Sequence, residues 1–140
     1  MKFTRILALA LVALMAALCL ASCGAETINV KLTIECGDAG DYPFVLEGVT
    51  VPLKSNDPTV LQAFIEGCIV NEIEYTLTED EKGVKDIGEY KDYVDTETNT
   101  TYYWLYTVNG EEPNDRAADH IVADGDVVVF TYTAYVPDAE

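Results

Sequence analysis

The chain has 140 residues, 25 Asp+Glu against 8 Lys+Arg and one His, for a formal net charge of −17. That length supports one domain and is too short for two separate cores. The charge excludes a phosphate-backbone partner and electrostatic docking on anionic lipid, and a single His excludes a His-rich metal site.

The chain opens with Lys2 and Arg5, followed by an uninterrupted apolar run over 6–21. The run has the length of a signal h-region and falls short of the roughly 20 residues that a spanning helix needs. It ends in Leu20-Ala21-Ser22-Cys23-Gly24, which resembles the bacterial lipoprotein signal pattern: an aliphatic residue, two small ones, then Cys. Small side chains at 21 and 22 fit a peptidase cleft, and the Cys23 thiol is the group that takes lipid. The resemblance implies a signal peptide over 1–22, a lipidated N-terminal Cys23, a linker over 23–27 and a folded domain over 28–136. Loss of Lys2 and Arg5 would take the net charge from −17 to −19. The expected location is the outer side of the cell membrane, held there by lipid.

Two further cysteines, Cys36 and Cys68, remain in a compartment that permits disulfides. Two readings stand: a Cys36–Cys68 bridge, or two buried free thiols acting as small hydrophobes. Their spacing fits neither redox CxxC nor zinc chemistry.

Residues 28–36 alternate strictly, with Ile28, Val30, Leu32, Ile34 and Cys36 on one face, as a half-buried strand does. Residues 37–41 form a turn. The apolar parity then switches across Gly48, so 43–53 reads as a returning hairpin arm with a bulge or tight turn at that glycine. Asp57 and Pro58 suit the cap and first turn of a helix. Leu61, Phe64, Ile65 and Cys68 make its buried stripe, and Gly67 is expected to end it.

Residues 73–77 alternate as another strand. A short edge strand is expected at 84–87, then an exposed polar and aromatic loop over 88–100. An aromatic strand follows over 102–108 and turns at Asn109-Gly110. Asp124-Gly125-Asp126 leads into a last strand over 127–135, which is apolar on both faces at its start and so belongs in the middle of a sheet. Asp124 and Asp126 lack the further oxygen ligands of a calcium loop, and a turn accounts for them without metal. His120 has no accompanying nucleophile motif, and no phosphate loop or dinucleotide fingerprint is present. No enzymatic turnover, metal or resident cofactor is expected.

The element order implies an α+β fold: a β-grasp-like mixed sheet packed on one short helix, after the N-terminal signal segment. The run Tyr103-Trp104-Leu105-Tyr106-Thr107-Val108-Asn109-Gly110, the later Asp124-Gly125-Asp126-Val127-Val128 and the helical Thr59-Val60-Leu61-Gln62-Ala63-Phe64 are similar to the bacterial family of transcobalamin-like C-terminal domains. The resemblance covers nearly all of 27–136 and implies a β-grasp domain. In transcobalamins the corresponding domain covers one face of cobalamin, so it also implies a corrinoid as a ligand.

Aromatic residues crowd into 90–106. Two arrangements are open. Tyr102, Trp104 and Tyr106, with Tyr90 and Tyr93, make an exposed platform for a planar or apolar ligand, or the rings are ordinary cross-strand pairs. The function expected is a lipid-anchored binding module for a soluble small molecule. The alternative is a structural or interaction module meeting an envelope protein or surface polymer.

Overall fold

The computed structural model describes residues 25–40 and 42–138, with Asp38 described by its backbone alone. The expected signal peptide and Cys23 lie outside the described residues.

The described residues form a mixed α+β structure with two sheets and one α-helix. Its first strand, β1 (Thr27–Glu35), buries Val30, Leu32 and Ile34 completely, on the alternate positions that the apolar pattern selects. After a short 3-10 turn at Gly37–Ala39 the chain returns antiparallel as β2 (Phe44–Lys54). The switch of parity across Gly48 is a bulge. Leu32 pairs with Val49, but Ile34 pairs with Leu46, so three steps on β2 answer two on β1. Gly48 sits at φ +55°, where a side chain would be strained, and its N–H donates to Thr33 Oγ1 at 3.0 Å.

The helix α1 (Val60–Val70) buries Val60, Leu61, Ala63, Phe64, Gly67 and Cys68. Its cap is Thr59 rather than the expected Asp57: Thr59 Oγ1 accepts from Gln62 N at 3.1 Å, and Thr59 O accepts from Ala63 N. The remaining free amides of the first turn, Val60 N and Leu61 N, donate to the carbonyls of His120 and Ala117. The first-turn donors of Val60, Leu61 and Gln62 are thereby satisfied, two of them by a distant loop, and the Ala63 bond is the first of the helix's own ladder. With residues 117 and 120 holding the first amides, the cap lies one residue past Pro58 and the helix starts at Val60. Gly67 does not end the helix. It lies inside it, against Leu32 and Val51, and the helix stops at Asn71, whose side-chain Nδ2 donates to Gly67 O at 2.8 Å.

The larger sheet places β8 (Val127–Tyr135) at its centre, as its doubly apolar start requires, with β1 and then β2 on one side and β7 (Thr100–Val108) and then β6 (Tyr93–Asp95) on the other. β8 runs parallel to β1 and antiparallel to β7. The turn residues anchor this arrangement. Asp124 Oδ1 accepts from Asn29 N at 2.7 Å, Asp126 Oδ2 accepts from Ala123 N at 2.8 Å, and Asn109 Oδ1 accepts from Val127 N at 2.9 Å. The two aspartates therefore hold backbone amides.

Three segments differ from the sequence expectation. The strand at 84–87, β4 (Val84–Ile87), is not an edge: it lies between β3 (Tyr75–Leu77) and β5 (Tyr90–Lys91) in a second sheet. The stretch 88–100 is not a free loop. It contains β5 and also β6 (Tyr93–Asp95), which pairs with the start of β7. Both strands are too short to carry a legible alternation and are fixed by their partners. Cys36 and Cys68 are both buried and both free thiols, so the bridge is not formed.

One core joins the layers. Phe64 of α1 packs on Phe130 of β8 with ring centroids 4.8 Å apart, and edge-on against Tyr75 of β3 at 5.4 Å. Helix and small sheet thus cover the same face of the large sheet.

Candidate functional site

The five aromatics singled out from sequence, Tyr90, Tyr93, Tyr102, Trp104 and Tyr106, do lie on one face of the structure, but they are not an open platform. Tyr93 stacks on Tyr102 (4.9 Å, 11° between planes), Tyr102 on Tyr132 (5.9 Å), and Tyr132 meets Trp104 (5.1 Å) and Tyr90 (5.4 Å). Trp104 is only 8% exposed, and its indole N–H donates to the Tyr90 carbonyl at 3.0 Å. The physical reason lies in the neighbouring segments. Alternation along β7 correctly separates Tyr102, Trp104 and Tyr106 from Tyr103 and Leu105, but Tyr90 of β5 lies against Trp104 and Tyr132, Tyr93 of β6 stacks on Tyr102, and Asp115 and His120 meet Tyr106. Tyr132 completes the arrangement by donating its hydroxyl to Lys91 O at 2.8 Å. Burial pushes this phenol up to about 12.

Beside this ladder a cleft of about 290 Å³ opens along β7. Trp104, Tyr106 and Phe130 line it, Thr78, Gly83 and Val84 bring in the small sheet, and residues 112, 113 and 115–117 form the opposite wall. Tyr106 packs on Phe130 at 5.8 Å and donates its hydroxyl to Asp115 O at 2.8 Å. Burial, with the Asp115 carboxylate beside it, pushes the Tyr106 phenol up to about 12.

The two walls are tied together. Arg116 Nη1 lies 2.9 Å from Asp80 Oδ2, and Arg116 Nη2 lies 3.2 Å from Thr78 Oγ1. Gly83 leaves the space for this: a Cβ there would stand 2.9 Å from Arg116 Nη2. Lys82 Nζ reaches Asp119 at 3.3 Å, and Ala118 N donates to Lys82 O. The Asp115 carboxylate lies 2.9 Å from His120 Nδ1, which holds that carboxyl below its ordinary range. His120 in turn meets the Tyr106 ring edge-on. It is therefore a wall-bracing group with hydrogen-bonded partners.

Sequence reasoning missed Asp115, Arg116 and Phe130 as cleft residues. Phe130 was hidden by its strand, where it reads as plain core. Arg116 carried a weak signal, as one of only 8 basic residues in an acidic chain, placed in a loop. Among the described residues no group of three or more His, Cys, Asp or Glu is arranged to hold a metal ion. Chemically the cleft offers an apolar aromatic floor, an acidic rim of Asp92, Glu112 and Asp115, and no paired nucleophile and base.

The family described as a domain of unknown function, DUF4430, matches residues 57–134, which is over half of the chain. Among solved structures, haptocorrin in complex with Cbi is similar at 16% identity and a TM-score of 0.61. That match covers 79% of this chain and 26% of haptocorrin, so the chain spans about a quarter of that protein. A candidate metal binding protein from Ruminococcus gnavus ATCC 29149 matches at 20% identity and a TM-score of 0.44, over 76% of this chain and 96% of its own. No curated protein matches. At these identities the haptocorrin likeness speaks to the fold.

Proposed function

Starting from a chain that belongs to the DUF4430 family, whose function is unknown, we propose that it is a non-catalytic binding module of β-grasp type, tethered by lipid at Cys23 on the outer side of the cell membrane. Its ligand is a soluble small molecule with apolar surface, and a corrinoid is the ligand we put first.

The observation that carries the reading is the cleft beside Trp104 and Tyr106. At about 290 Å³ it lies at the lower edge of the roughly 300–1,000 Å³ of small-molecule pockets. A macrocycle does not enter such a cleft; one side group does. The module would therefore lie on one face of a large ligand. Affinity would come from apolar burial on the aromatic floor, and the acidic rim favours neutral or cationic groups over anions. The parallel pairing of β1 with β8 at the sheet centre, with one helix across the sheet, supports the β-grasp assignment. The likeness to haptocorrin, whose structure holds Cbi, supports the choice of corrinoid.

The test is a spectral titration of the detergent-solubilised full chain with cobinamide and cobalamin. Trp104 is the only tryptophan, so its emission reports occupancy of the cleft directly. A saturable spectral change with parallel quenching of Trp104 is expected. No saturable change with either compound removes the corrinoid.

A further inference from the structure

We propose that the unpaired edge of β7 at Trp104 and Tyr106, reached through the cleft, takes an extended, basic peptide segment as an added strand. The proposal concerns backbone groups and stands apart from the identity of any small molecule.

The large sheet has two outer sides. One is β2, and it is blunted: it carries Pro52, which has no N–H, and the bulge at Gly48. Both features are ways of preventing strand addition. The other side is only partly covered. β6 pairs with β7 over 100–102 and stops there, with Tyr93 opposite Tyr102. At the far end, Val108 exchanges both backbone bonds with Glu111 (N to O 2.9 Å, and Glu111 N to Val108 O 3.1 Å).

The Val108 bonds fix direction. Its N–H and C=O point away from β8, and these directions alternate residue by residue along a strand. Trp104 and Tyr106 therefore present their N–H and C=O to the same outer side. Asn109 N, bonded to Val127 O at 2.8 Å, shows the opposite phase. Among the described residues these four groups have no backbone partner on the outer side. The β7–β8 register is unbroken from Thr101 to Val108, so the edge is straight, and it holds no proline, lysine or bulge. Tyr102 and Val108 are themselves paired, with Tyr93 and Glu111, so the open stretch runs over 103–107 and spans roughly 13 Å at 3.3 Å per residue, room for a strand of about four residues.

The cleft runs along this gap, so side chains at alternate positions of an added strand would reach Trp104 and Tyr106. Charge selects the partner. Asp92, Glu112 and Asp115 border the cleft, while the nearby Arg116 is already engaged by Asp80. A second copy of this chain would bring another net −17 to the same edge. An added strand bearing Lys or Arg at its ends is favoured over it.

The experiment titrates the full chain with a short blocked peptide that fits the open stretch, Lys-Val-Thr-Lys. It follows Trp104 emission and amide hydrogen exchange residue by residue. In the free protein the Trp104 and Tyr106 amides should exchange at least tenfold faster than that of Leu105, which faces β8. Bound peptide should slow those two amides at least tenfold and leave Leu105 unchanged. Methylating the internal amide nitrogens of the peptide should weaken binding at least tenfold, as should replacing both Lys by Glu at low salt. Binding that survives methylation, or no added protection at Trp104 and Tyr106, overturns the proposal. Protection of the same amides in the chain alone, rising with protein concentration, overturns it in favour of a second copy. Glu-ended and Lys-ended peptides binding equally would overturn the basic partner.

Discussion

Gly67 of α1 lies directly against Leu32 of β1, so closely that a Cβ added to Gly67 would overlap Leu32 Cδ2 and stand 3.3 Å from Val51 Cγ2. The helix keeps a residue that is poor for helices because the sheet is where a side chain would be. Gly67→Ala gains about 1 kcal/mol of helix propensity and loses roughly 1–3 kcal/mol to overpacking. Leu32 is fully buried, so moving it aside displaces other core side chains, and the loss should win. In urea denaturation Gly67→Ala should be less stable than the parent, and Gly67→Val less stable still. Leu32→Ala combined with Gly67→Val should be better than the sum of the two single losses. Simple additivity would show that the contact does not limit the helix.

The two core thiols make a second prediction. Burial raises the Cys68 thiol to about 12 and pushes Cys36 up as well, with a Tyr90 hydrogen bond pulling Cys36 partly back. The thiolate is the nucleophile, so neither should react with iodoacetamide at pH 8 until the fold opens. Site-resolved mass spectrometry should find both unlabelled in buffer and both labelled in denaturant. Rapid labelling of folded protein, or a Cys36–Cys68 crosslinked peptide, would contradict the free buried pair.

The limits of sequence reading follow from the same contacts. β1 and the centre of β8 were legible because burial on one or both faces writes itself into residue order over nine positions. The helix stripe was legible for the same reason. Its ends were not, because Thr59 and Gly67 take their roles from residues far away: 117 and 120 for the first turn, Leu32 for the close approach. Alternation along β7 gave the right two faces. It did not say which face is covered, since that depends on β5 and β6, strands of two and three residues held by pairing alone. The aromatic residues were therefore found, and the burial of Trp104 was not.

Acid should unfold the protein partly through its surface carboxylates. The Thr78 hydroxyl, the Lys82 amide and Arg116 hold Asp80 below the ordinary carboxylate range, and His120 does the same first of all for Asp115. A carboxyl whose folded value is depressed contributes stability that is complete above the unfolded value, near 4. That contribution is lost as pH falls through the lower folded value. Urea midpoints should therefore fall below about pH 4. Asp80→Asn and Asp115→Asn should each flatten that decline, and Asp80→Asn should leave the slope between pH 6 and 8 unchanged. Both groups are exposed, so each effect is small and should shrink further in salt. An acid limb identical in both variants would assign it elsewhere.

The proposed tether depends on one atom, the Cys23 sulfur. In cells grown with a labelled fatty acid, the parent chain should carry label and partition with membranes, and Cys23→Ala should lose both. The folded domain cannot replace the anchor electrostatically, because its charge is strongly negative and anionic lipid repels it. Labelling that persists in Cys23→Ala would remove the lipoprotein reading. Membrane association without label would point to a protein partner.

Trp104 separates the two jobs of the aromatic layer. Its indole N–H holds the Tyr90 carbonyl, its ring packs on Tyr132, and it also lines the cleft. Trp104→Phe keeps an aromatic ring but removes the indole donor to that carbonyl. This should cost about 1–3 kcal/mol. Trp104→Ala removes the ring too and should cost about 3–5 kcal/mol. Tyr106→Phe removes only the hydroxyl that bonds Asp115 O, in a less buried place, and should cost about 1 kcal/mol. If the cleft binds through its apolar floor, Tyr106→Phe and Trp104→Phe should both keep most of their affinity, measured well below their unfolding midpoints. Trp104→Ala should lose at least tenfold. Affinity that follows stability across the three variants, rather than ring area, would mean that Trp104 only holds β5 in place and that the ligand binds elsewhere.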